Sequence, residues 1–313
     1  MVDTQRNLRL TGEQTLPRIP EVPDDLVNAV VHRRAVLFAG AGLSRGEAHT
    51  HAGTSEQYLP SWGNLLIVLV DRACKKRYVS NAEAAKLKKA LVERKYLFVA
   101  EVVRKKLGAQ EYDDALEDIF RNPHLRPTQR HVLITQIPFA AVLTTNYDKM
   151  FEAAYGLKGQ LPPPTYTFGD APDLVSAISQ SRFFILKAHG DIDRKNTLVL
   201  SERDYRDLVY RQPGYRAALN AIFITKTVLF IGTSLTDPDM NLVLESVSES
   251  FSGKGPRHYA LLPRREAGNS ELEHWRDFFG IQLLQYDASK GHPEIQQFLE
   301  QLRKKVQARI LKG

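Results

Sequence analysis

Three apolar runs in this chain each stop at a short polar constellation, and no other feature constrains the fold as much. Ala35-Val36-Leu37-Phe38 leads into Ala39-Gly40-Ala41-Gly42-Leu43-Ser44. Ala141-Val142-Leu143 leads into Thr144-Thr145-Asn146-Tyr147-Asp148. Phe183-Phe184-Ile185-Leu186 leads into Lys187-Ala188-His189-Gly190-Asp191. A short continuous apolar run suits a strand buried on both faces, as in a parallel sheet covered by helices. In such sheets ligands bind outside the carboxyl ends of the strands. Three constellations at three such ends can build one pocket.

Further strands are expected at Val228-Leu229-Phe230-Ile231, Tyr259-Ala260-Leu261-Leu262 and Ile281-Gln282-Leu283-Leu284-Gln285-Tyr286. Helical patterns separate most of them, which predicts an α/β fold: a Rossmann-like, doubly wound parallel sheet. Residues 1–23 are polar, with Pro17, Pro20 and Pro23, and read as an N-terminal arm without its own core. Residues 24–313 read as one domain, opened by a short helix that Asp24 caps. From Trp62 to about Ile137 the chain is mainly helical. Ser80 or Asn81 caps one helix there, Gly108 stops another, and Pro127 starts the last. This block is expected as a helical insert over the cleft.

The 313 residues suffice for a full core, and Cys74 is the only cysteine. No disulfide can form within the chain, and no zinc site of several thiolates can exist. The N-terminus lacks a charged-then-apolar signal pattern, so a cytoplasmic location is expected. The run Leu65 to Val70 is too short to span a bilayer, and no membrane association is expected. The net charge of +7 would attract polyanions. The clusters Lys86, Lys88, Lys89 and Arg104, Lys105, Lys106 lie on helical stretches that also carry an apolar stripe. They read as solvated faces, and nucleic acid enters only as an indirect partner.

Gly40 and Gly42 allow a tight turn and a close backbone approach to phosphates, with Ala41 between them. Arg45 stands where an oxidoreductase fingerprint wants its third glycine. Ser44 and Arg45 are in reach of a ribose hydroxyl or a phosphate. Asn146 carries a neutral amide that can hold a ribose hydroxyl and a water together. Asp148 either orients Asn146, stabilises positive charge on a sugar, or closes an Asx turn. His189 ends an apolar run, where histidine is commonly structural. Gly190 beside it is expected to leave room for ligand. Gly232, Thr233 and Ser234 form a second small-residue turn, and Asp237 before Pro238 suits a helix cap. Tyr286 ends the last strand. His49 and His51 lack further ligands at metal-binding spacing, so no metal is expected. The ATPase P-loop pattern and a hydrolase nucleophile elbow are both absent.

In order and wording these motifs resemble the sirtuin superfamily, which pairs a Gly-Ala-Gly-x-Ser turn with an Asn-x-Asp segment and a His-Gly dipeptide. Pro60-Ser61-Trp62 and the segment from Phe230 to Asp239 look like bacterial sirtuin-like domains that hydrolyse NAD in anti-phage defence. The resemblance runs from about Asp24 to the C-terminus. It implies NAD as substrate, cleaved between nicotinamide and ribose, with Asn146 placing water, His189 as base and Asp148 assisting. It places the adenosine ribose and phosphates at Gly232, Thr233 and Ser234, and Tyr286, at the end of the last strand, is expected beside the adenine. Deacetylase sirtuins carry a four-cysteine zinc module, which Cys74 alone cannot supply, so deacetylation is not expected. An activity of this kind needs restraint, so a homo-oligomer or a separate regulatory partner is expected, and the family suggests a HerA-type ATPase as one such partner. A second reading is a non-catalytic module that binds NAD or ADP-ribose and reports it to a partner.

Overall fold

The computed structural model describes residues 19–44, 59–157, 159, 161–235, 238–251, 256–264 and 269–312. Among these, seven strands form one sheet: β1 (Ala35–Ala39), β2 (Ala141–Thr144), β3 (Thr165–Thr167), β4 (Ile185–Lys187), β5 (Thr227–Ile231), β6 (His258–Pro263) and β7 (Ile281–Tyr286). Their order is β3-β4-β2-β1-β5-β6-β7. Every pairing is parallel. The Rossmann-like, doubly wound sheet anticipated from the apolar runs is therefore the fold. The sequence pattern missed β3. It has three residues after Pro162-Pro163-Pro164 and sits at the sheet edge, too short to show a period.

Alternation along the strands sorts the buried residues onto two faces. Leu37, Val142, Ile185, Leu229 and Leu261 pack on one side. Helices α1 (Asp24–Val31), α5 (Gln129–Ile134), α6 (Met150–Gly156) and α12 (Pro293–Ile310) cover them with Leu26, Ile134, Phe151 and Phe298. Phe38, Leu143, Leu186, Phe230 and Ala260 pack on the other side. There α7 (Ala171–Ser179), α8 (Glu202–Arg211), α9 (Pro213–Thr225) and α10 (Pro238–Phe251) supply Leu174, Leu208, Phe223 and Leu244. Helix α11 (Asn269–Phe279) adds Trp275 and Phe279 at the margin of this face. The cap of α1 differs from expectation. Pro23 holds the N-cap position without a side-chain bond, and Asp24 is the first helical residue, where its charge suits the helix dipole. Val22 is already buried in the core, and Lys305 donates to its carbonyl at 2.9 Å.

The helical insert has a core of its own. Helices α2 (Trp62–Lys75), α3 (Asn81–Val92) and α4 (Tyr96–Phe120) bury Leu66, Leu69, Leu87, Val103 and Leu116 together. Ser61 and Ser80 cap α2 and α3. Gly108 stops the first part of α4 as expected: its φ 74°, ψ 168° are non-helical, and beyond this kink a second helical stretch runs on to Phe120. The block ends earlier than its pattern suggests, because Leu133, Ile134 and Ile137 join the core beneath the sheet. Ion pairs Arg104–Asp204, Arg121–Asp193 and Lys195–Glu117 tie α4 to α8 and to the segment that follows β4.

Candidate functional site

Strand β1 lies between β2 and β5, so the chain leaves β1 in one direction and later returns on its other side. The carboxyl ends of β1, β2, β4 and β5 face one crevice at this switch point, where open α/β sheets bind ligands.

The two glycine turns interlock there. Gly40 N–H donates to Ile231 O at 3.0 Å, and Gly42 N–H to Gly232 O at 2.8 Å. A Cβ on Gly40 would lie 2.5 Å from Gly232 O, and one on Gly42 2.7 Å from the same atom. Gly232 has φ 71°, and a Cβ there would sit 2.0 Å from Leu43 N. These glycines are thus required by the approach of one turn to the other, and the amides of Gly40 and Gly42 are already paired. Together the turns form the floor of an open groove lined by Gly40, Ala41, Gly42, Gly232, Thr233, Ser234 and Tyr286. Ser44 ends the 3-10 turn after β1. Arg45, His49, His51 and Asp237 lie outside the described residues.

Ala41, Trp62 and Thr145 line this groove and also a second, deeper pocket. The pocket contains Asn146, Asp148 and His189, so the structure brings the second and third motifs together beside the first. Thr144 Oγ donates to Ala39 O at 2.8 Å and accepts from Asn146 N at 3.1 Å, which staples the Asn146 loop to β1. Asn146 is 9% exposed. Among the described residues nothing bonds its side-chain amide, which is available to the pocket. Asp148 accepts from Met150 N at 3.0 Å and so opens α6 by an Asx-type turn while lining the pocket.

His189 follows β4 and is 5% exposed. The Tyr205 hydroxyl lies 3.5 Å from its Nδ1 and 3.4 Å from its Nε2, with the rings edge to face at 5.2 Å. Trp62 stacks on Tyr205 at 6.2 Å. Phe120 meets Tyr147 edge to face at 5.5 Å. These four aromatic side chains wall the pocket. The roles of Tyr205 and Phe120 were not legible in the sequence, because each falls on the apolar stripe of an amphipathic helix. Gly190 departs from its expected role. With φ 93° and a would-be Cβ 2.0 Å from Thr197 O, its open side is filled by backbone rather than left for ligand.

Beneath the pocket lies a charged cluster that motif reading overlooked. Lys187 is wholly buried, with Glu152 at 7% and Asp191 at 3% exposure. The Lys187 ammonium stands 3.3 Å from Glu152 and 3.4 Å from Asp191. It donates to Tyr147 O at 3.1 Å and to Asp148 O. Lys149 pairs with Glu152 at 3.0 Å and with Asp191 at 2.8 Å. Burial pushes the Asp191 carboxyl up, but the Lys187 charge and the Lys149 hydrogen bond outweigh it and hold Asp191 below its usual range. Burial likewise lowers Lys149, and Glu152 and Asp191 more than offset it, leaving the ammonium raised. A lysine closing an apolar strand was the available signal, since a buried charge needs a partner. Among the described residues no group of three or more His, Cys, Asp or Glu is placed to hold a metal. No described helix is long and apolar enough to cross a membrane.

The parallel sheet, the interlocked glycine turns and the Asn146–His189 pocket define a Rossmann-like α/β protein with its pocket at the switch point of the sheet. Residues 140–284, from β2 to β7 and just under half of the chain, match the family model of the SIR2-like domain. It is 30% identical over 146 residues to the NAD(+) hydrolase ThsA of Bacillus cereus (strain MSX-D12), covering 47% of this chain and 30% of that protein. It is 25% identical over 277 residues to the NAD(+) hydrolase ThsA of Cytobacillus dafuensis, covering 85% of this chain and 48% of that protein. Defense-associated sirtuin 2 of Bacillus subtilis is 28% identical over 218 residues, 68% of this chain and 19% of its own length. The chain thus spans about half or less of the length of these relatives.

Proposed function

We propose that this chain hydrolyses NAD to nicotinamide and ADP-ribose, as the names of its ThsA relatives suggest. The observation that carries the reading is the single pocket holding Asn146 and His189, opening directly onto the glycine-turn groove. The groove takes the pyrophosphate, with Thr233 and Ser234 beside the adenosine ribose and Tyr286 toward the adenine. The aromatic pocket takes the nicotinamide and its ribose. Asn146 holds a water at the anomeric carbon, and His189 accepts the proton as that water attacks. The carbon–nitrogen bond breaks with its electron pair passing to the pyridinium, so nicotinamide leaves neutral and needs no general acid. Asp148 lends negative charge near the oxocarbenium-like sugar. Placement of the water and stabilisation of developing charge supply the catalysis, and a base of this kind typically adds about 10²–10⁴-fold.

The test is nicotinamide release from NAD by the purified chain. Asn146→Ala and His189→Ala, each folded by circular dichroism, should both abolish release. Near-normal turnover in both would remove these residues from the mechanism. Saturable NAD or ADP-ribose binding without any release would favour the sensor reading. In the cell, the reading extends to NAD depletion in cytoplasmic anti-phage defence, restrained by self-assembly or by a partner such as a HerA-type ATPase. Deleting residues 1–18, which leaves the buried Val22 in place, should change both the mass by light scattering and the rate. Unchanged mass and rate would exclude the arm from assembly.

A further inference from the structure

The Lys187 cluster does something that an apolar core cannot. One ammonium reaches both loops that carry the pocket's polar residues. It donates to the carbonyls of Tyr147 and Asp148, the two residues directly after Asn146. It leaves β4 two residues before His189 and pairs with Asp191, two residues after it. Strand alternation explains the placement. Lys187 follows Ile185 on the face that α6 covers, and Glu152 on α6 meets it at 3.3 Å. Asp191 is fixed in turn, since its N–H donates to Thr197 Oγ at 3.1 Å and its Oδ1 accepts from Asp193 N at 2.9 Å.

We propose that Lys187 is a positioning residue: balanced by Glu152 and Asp191, its buried ammonium gathers the carbonyls after Asn146 and holds that loop in register with His189. The kinetic half of this inference rests on the hydrolase reading, and the structural half stands apart from it. A buried charge that loses its partner is strongly destabilising, whereas replacing a whole pair by apolar side chains is often neutral. Stability and positioning can therefore be separated. Lys187→Met alone leaves Glu152 under-balanced. Lys187→Met with Glu152→Met removes both charges and leaves the Lys149–Asp191 pair at 2.8 Å intact.

The experiment compares the double variant with the wild-type chain in melting temperature, NAD kinetics and hydrogen exchange across residues 144–150. The double variant should melt near the wild type yet lose kcat by about 10²-fold, the cost of a misplacement on the order of 1 Å. KM should stay within about twofold, and exchange in the segment should be faster. Recovery of kcat together with stability overturns the proposal, as does unchanged exchange. Failure of the double variant to fold also overturns it, because the cluster would then be a condition of folding. If the wild-type chain releases no nicotinamide, the hydrolase reading fails, and exchange alone decides whether the brace exists.

Discussion

At the scale of single residues, the glycines in the motifs serve the protein's own backbone before any ligand. Gly190 is the sharpest case, because φ 93° and the Thr197 carbonyl both forbid a side chain. Gly190→Ala should strain the turn that carries His189, destabilising the fold by about 1–3 kcal/mol and lowering turnover further. A urea midpoint equal to wild type would show that the turn relaxes. The Tyr205 hydroxyl sits 3.4–3.5 Å from both ring nitrogens of His189. The geometry is that of a ring set beside an imidazole rather than of one short hydrogen bond. Tyr205→Phe should therefore keep most of the NAD turnover, while Tyr205→Ala, which removes the stacking partner of Trp62, should lower it by tenfold or more, on the order of the 1.4 kcal/mol that tenfold represents. Equal losses in the two variants would instead assign the work to the hydroxyl. Asn146 and His189, the residues proposed to act on NAD, stood out in the sequence because each lies in the polar segment just after an apolar run. Lys187 opens the same motif as His189, but what its buried ammonium meets, Glu152 and the carbonyls after Asn146, could only be seen in three dimensions.

At the scale of elements, six of the seven strands were legible as apolar runs, and the helical insert was legible as a block. The boundaries were not. The block's last helix, α5, shares the amphipathic pattern of the insert, but its apolar face turns to the sheet and meets Phe151 and α12. Period alone cannot tell which core a helical stripe will enter. The Gly108 kink was legible, since glycine marked the stop and the apolar pattern from Ala115 to Phe120 marked the helix beyond it. The insert carries Trp62 and Phe120 into the pocket, so its seating on the core matters for ligand. That seating uses Arg104–Asp204, Arg121–Asp193 and Lys195–Glu117, all with partly exposed side chains. Such pairs are individually weak and screened by salt. Replacing Arg104, Arg121 and Lys195 by alanine together should speed hydrogen exchange along α4 and raise KM for NAD. The melting temperature should change little. A large drop in melting temperature with unchanged α4 exchange would show that the pairs hold up the whole fold instead.

At the scale of the whole molecule, the strand order is what makes separate motifs into one site. The helical patterns between the strands made the doubly wound class legible in the sequence, whereas the order itself is seen only in the structure. One histidine outside the site shows how that sheet responds to acid. His258 opens β6, is 1% exposed, and accepts the Val228 N–H of β5 on Nδ1 at 3.1 Å, with Phe223 of α9 edge to face at 5.5 Å. Burial pushes its pKa down from 6.5 to about 4. The folded chain therefore keeps this imidazole neutral where the unfolded chain binds a proton. Stability is full above the unfolded value of 6.5 and declines as the pH falls toward about 4. A shift of that size is worth about 3 kcal/mol. Asp191 and Asp170, held below their ordinary 3.8, give up their contribution at lower pH and leave this window clear. His258→Asn keeps a side-chain acceptor near the same place and does not titrate. Urea unfolding at steps between pH 7 and 4 should therefore show a steeper loss for the wild-type chain than for His258→Asn. Parallel curves for the two proteins would mean that this imidazole protonates without cost and that acid opens the sheet elsewhere.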